Sequence, residues 1–149
     1  MNYTLIERII KAIETRPDNF DMGNWAYNPQ VLKEWATAEI PLGEDGRCGT
    51  TFCVAGWARQ LAGLKTFFVP NNSNLLDEDG DVIDFVGEGA ELMGLDEDIA
   101  YDLFNRTEFT RKQIVYVLNE MLAHPEAAVE WIAYEAIIEE AWRLAEVDA

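Results

Sequence analysis

One run constrains the fold more than any other: Cys48-Gly49-Thr50-Thr51-Phe52-Cys53-Val54-Ala55-Gly56-Trp57-Ala58-Arg59-Gln60-Leu61-Ala62-Gly63. After Thr50 and Thr51, both residue types that cap helices, only Cys53, Arg59 and Gln60 interrupt a series of apolar or small side chains. A helix that is apolar nearly all round has no face to give to water, so it belongs in the middle of its domain. The pattern predicts such a helix over about 51–62, with Gly63 as its stop. Ala55, Gly56, Ala58 and Ala62 keep one side small enough for close helix approach, while Trp57 and Leu61 fill the other. The first and last helices are expected to pack there.

The flanking segments supply the partners. Leu5, Ile6, Ile9, Ile10 and Ile13 recur at helical spacing behind Asn2 and Thr4 as candidate caps, and Pro17 ends the run. A connector from Pro17 to Pro29 carries Phe20, Trp25 and Tyr27, which are expected to pin it to the core, and a short helix is expected from about Pro29 to Trp35. Residues 41–47 read as a loop from their turn chemistry. Asp79-Gly80 between apolar pairs predicts a tight acidic turn or hairpin over about 75–83, the only strand pair expected. Asp84, Asp96 and Thr110 are placed to cap three further helices, and Gly94 to stop the first of them. Pro125 opens a last helix running to about Val147. The expected fold is therefore all-α: one domain over residues 1–149, a compact bundle of about six helices around the buried central one.

The last helix has a surplus. One face carries Ala127, Trp131, Tyr134, Ile138, Ala141 and Ala145 with Trp142 at its edge, and another carries Val129, Ile132 and Ala136. Two apolar stripes exceed what one groove needs. The helix is either sandwiched in the core or lays one stripe against another chain, which makes Trp131, Ile132 and Trp142 candidate partner-binding residues.

Charge narrows the function classes. The net charge is −17, which opposes direct binding to nucleic acid or to an anionic membrane and favours basic partners. No lysine or arginine falls between Lys65 and Arg106, whereas Asp77 to Asp102 hold eleven carboxylates; from Glu120 onward there are eight more against Arg143 alone. Acids spaced on helices can imitate phosphates, so a DNA-mimic inhibitor of a host protein is one reading of this stretch. The N-terminal residues alternate apolar and charged side chains, unlike a signal peptide or membrane span, so a cytoplasmic location is expected.

Four patterns could carry chemistry. Cys48 precedes a predicted helix start beside Arg47, where a thiol is biased toward thiolate, and His124 is the one histidine that could serve it as a base. The string around Cys48 faintly echoes the Cys-Gly-x-Cys-Trp arrangement of papain-like enzymes, with the second cysteine displaced. Arg47, Cys48, Gly49, Thr50 and Thr51 together form a candidate anion or small-ligand site at that helix start. Asp77, Asp79, Asp81 and Glu88 match positions 1, 3, 5 and 12 of a calcium loop, but glycine stands at position 4 rather than 6. Cys48, Cys53 and His124 are too few and too irregularly spaced for a zinc site. No catalytic set is complete and no cofactor is implied.

Three strings then stand together: Phe20-Asp21-Met22-Gly23-Asn24-Trp25; Cys48-Gly49-Thr50-Thr51-x-Cys53-x-Ala55-Gly56-Trp57-Ala58; and Ala90-Glu91-Leu92-Met93-Gly94-Leu95 followed by Leu103-Phe104. They resemble a group of small uncharacterised proteins of bacteriophages and of bacteria carrying phage-derived genes. The resemblance implies an accessory protein of the host cytoplasm and brings no activity with it. The leading expectation is a non-enzymatic protein that binds a host protein or self-associates. A cysteine-dependent enzyme or anion binder at Cys48 and a DNA mimic are the alternatives.

Overall fold

The computed structural model describes residues 1–23, 25–27, 38–39, 51–68 and 75–147. The short helix expected over 29–35 and the 41–47 loop lie outside the described residues. The described chain is all-α, with six α-helices: α1 (Tyr3–Thr15), α2 (Val54–Leu61), α3 (Phe85–Met93), α4 (Glu97–Phe104), α5 (Arg111–Ala123) and α6 (Trp131–Val147). Two 3-10 turns, Pro17–Asn19 and Pro125–Ala128, stand where the prolines fix the backbone.

Local chemistry sets most boundaries. The Asn2 side chain accepts from the Leu5 amide, Asp84 from Gly87 and Asp96 from Asp98, each satisfying an amide that the first helical turn leaves open. Thr110 and Gln113 form a reciprocal capping box at the start of α5. Gly94 ends α3 in the left-handed region at φ 71°, and a side chain there would also meet the backbone of Met1.

Two boundaries differ from expectation because a distant partner competes for the backbone. α2 starts at Val54 with Cys53 as its cap residue, not at Thr50 or Thr51. Thr51 and Phe52 are instead extended as β3 (Thr51–Phe52), antiparallel to β1 (Ala26–Tyr27), and the Phe52 carbonyl accepts from the Asp21 amide at 2.9 Å. α6 starts at Trp131 rather than at Pro125. The Ala128 carbonyl, which a continuous helix would give to Ile132, accepts instead from the Asp96 amide at 2.8 Å.

The strand count also exceeds expectation. A second ladder runs β2 (Ala38–Glu39), β4 (Phe67–Phe68), β5 (Leu75–Leu76), antiparallel throughout. The predicted acidic hairpin is a tight turn closed by a single bridge, Leu76 to Val82, with Gly80 at φ 84°. These two-residue pairings tie connectors down without making a sheet core.

The core is helical, and its hub is α1 rather than α2. α1 buries Leu5, Ile6, Ile9, Ile10 and Ile13 and packs against α2, α3 and α5. Every residue of α2 from Val54 to Arg59 is buried, as an all-round apolar helix requires, but its main neighbours are α1 and α3. α6 packs on α5 and on the 3-10 turn before it, not on α2.

Close approach depends on glycine at two points. A Cβ on Gly56 would run into the Trp25 carbonyl oxygen, and one on Gly89 would lie 2.6 Å from the Phe104 ring. The Trp25 ring itself stacks on Phe85, with centroids 5.1 Å apart. Trp25 thus meets Gly56 and Phe85, and Gly89 meets Phe104 and Ala55.

Candidate functional site

The outer surface of α6 is the most exposed apolar region among the described residues. Ile132 is 84% exposed, Val129 64%, Trp131 45% and Trp142 40%. The inner stripe of the same helix, Tyr134, Ile138 and Ala141, is buried against the bundle. Of the two stripes read from the sequence, one faces the core and the other, with Ile132 and Ala136, faces water. The sandwiched alternative is therefore not what this chain adopts.

The two tryptophans at the ends of the exposed ridge are held by one connected set of contacts. The Trp131 ring lies 5.5 Å from that of Tyr134. The Tyr134 hydroxyl donates to Asp102 Oδ2 at 2.6 Å, and Arg106 grips both carboxylate oxygens of Asp102 at 3.0 and 3.1 Å. The Arg106 guanidinium sits over the Phe109 ring, and Phe109 meets Trp142 edge to face at 4.8 Å. Burial, together with the Asp102 carboxylate that takes its hydrogen bond, pushes the Tyr134 hydroxyl well above the usual tyrosine range, so it remains a donor. This ring of contacts through α4 and the loop after it fixes where both indoles stand. Nothing local in the sequence links Asp102 to Tyr134, because the pairing spans two helices.

A second network lies under α2. Arg59 is 2% exposed, and its guanidinium donates to Glu88, to the Thr66 hydroxyl at 3.1 Å and to the Lys65 carbonyl. The signal for it was an arginine in an otherwise apolar helix, since a buried cation needs a carboxylate partner.

The sequence candidates fall apart in space. Glu88 is taken by Arg59 rather than joining the acidic turn. Asp77 Oδ1 accepts from the amides of Asp79 and Asp81 at 2.9 and 3.0 Å, so this carboxylate braces its own turn. Among the described residues no three histidine, cysteine or acidic side chains are placed to hold a metal ion. Arg47, Cys48, Gly49 and Thr50 lie outside the described residues, and Thr51 is seen as backbone in β3. His124 stands at the exposed corner after α5, with Glu120 at 3.8 Å and Glu126 at 3.7 Å. Cys53 is fully buried, and burial pushes its thiol up to about 12. Of the eleven acids from Asp77 to Asp102, Asp77, Asp84 and Asp96 brace turns or cap helices, and Glu88 and Asp102 are ion-paired.

An open cleft of 520 Å³ lies between Pro17–Met22 and Thr107–Arg111. Its acid, Asp21, accepts from the Gly23 amide at 2.8 Å. No helix among the described residues is long and apolar enough to cross a membrane.

Compared with protein-family models, with curated proteins and with solved structures, the chain matches none.

Proposed function

We propose that the protein works by binding another protein through the outer face of α6, without catalysis. The observation that carries this reading is the exposure of Ile132, Trp131 and Trp142 on α6, with Val129 just before it, while the other face of the helix is buried. Large apolar side chains gathered on one surface lower their free energy when a partner covers them. The fixed positions of the two indoles support it further, since a face that does not reorganise loses less on binding. The resemblance to bacteriophage and prophage proteins supports placing that partner in a bacterial host's cytoplasm. The excess of acid keeps such a protein soluble and draws basic partners to it.

A photo-crosslinking amino acid tests the reading. It is placed at position 132 in one variant and, as a control, at exposed position 91 on α3 in another, and both are irradiated in bacterial cytosol. Discrete protein adducts, to another chain or to a second copy, are expected from position 132 and not from position 91. Equal yields from both positions would overturn the proposal.

A further inference from the structure

The geometry points to a cationic amphipathic helix of another protein as the partner that covers α6; this rests on reading α6 as a docking face. Trp131 and Trp142 are eleven residues apart, which on a helix is about 16 Å along the axis and only about 20° around it. The two indoles therefore stand in line about three turns apart, a spacing that a second helix laid along α6 can span. Ile132 stands beside Trp131 at one end of the ridge and is almost fully exposed. Between the two ends α6 presents Glu135 and Glu139, both exposed. A helix with apolar residues about three turns apart reaches Trp131 and Ile132 at one end and Trp142 at the other, and lysines or arginines between them face the two glutamates.

Among the described residues no lysine or arginine is paired with those glutamates. From Gln113 to Trp142 there is no lysine or arginine, and Arg143 is paired with Glu140 at 3.1 Å. A second copy of the chain fits the face badly. A twofold contact sets a surface against itself, which would bring Glu135 and Glu139 against their own like charges as water is excluded.

The test uses a fluorescent peptide of leucine and lysine in helical amphipathic order, two heptads long, and its leucine–glutamate counterpart. Binding is followed by anisotropy, and the mass of the protein by light scattering. The lysine peptide is expected to bind with one-to-one stoichiometry and the glutamate peptide not to bind. Ile132→Ser is expected to weaken the lysine peptide by about tenfold or more. Val82→Ser, which removes another exposed apolar side chain, from the acidic turn, is expected to leave binding unchanged and so reports non-specific attraction of cations. Equal binding of wild type and Ile132→Ser, or of the two peptides, overturns the cationic-helix proposal. If the protein alone is a dimer that Ile132→Ser dissolves, the docking face stands and the cationic partner falls. If Ile132→Ser alters neither peptide binding nor mass, both fall.

Discussion

Cys53 is the cap residue of α2, yet its side chain makes no capping bond. The sulfur lies 4.0 Å from the Trp25 carbonyl oxygen, toward which the S–H can point, and the group sees no water. Burial in this setting raises the thiol to about 12 from a usual value of 9.0. The folded protein therefore holds this proton more tightly than the unfolded chain does. Its contribution to stability is complete below about pH 9 and is lost as the pH climbs toward about 12, by up to about 1.4 kcal/mol per pH unit. Tyr134 acts in the same direction. Urea midpoints measured from pH 8 to 11 are expected to fall more steeply for wild type than for Cys53→Ala; parallel slopes would contradict the burial argument. A cysteine packed into the core was readable from its apolar surroundings. The pairing of Arg59 with Glu88 was not, because the two side chains come from different helices and only the fold brings them together.

Helix starts and stops were legible wherever the deciding residue lies within one turn. Asn2, Asp84, Asp96, Thr110 and Gly94 all act where their chemistry said they would. The starts of α2 and α6 were misplaced for a common reason: a backbone group that the local pattern assigned to the helix is used by a distant segment. Phe52 belongs to Ala26 and Asp21 before it belongs to α2, and Ala128 belongs to Asp96 before it belongs to α6. The candidate docking face was half legible. Periodicity showed that α6 has two apolar stripes, but which of them the bundle covers depends on how α5 lies against it. The contact between α2 and the preceding connector is also where substitution should cost most. Gly56→Ala puts a methyl into the Trp25 carbonyl, which is backbone and cannot rotate away. The connector or the helix must shift, with a loss of about 3 kcal/mol. A chemical-denaturation midpoint within error of wild type would show that Trp25 is not held there.

In the molecule as a whole 28 acids face 11 lysines and arginines. The net charge is −17, and Arg59, Arg106 and Arg143 each have a close carboxylate partner. Added salt screens repulsion between exposed charges more than it weakens a buried pair. The melting temperature is therefore expected to rise by a few degrees between about 20 and about 500 mM sodium chloride, and a fall would show that attractive pairs dominate. The position of α1 has a consequence for how the chain is made. Its apolar side chains face α2 and α3 on one side and α5 on the other. α1, made before the helices that cover it, therefore cannot be fully covered until α5, beginning at Arg111, has followed it. Until then Leu5, Ile6, Ile9, Ile10 and Ile13 wait with one flank open to water. A nascent chain stalled before Arg111 is thus the form of this protein most prone to stick to its neighbours and most in need of a chaperone.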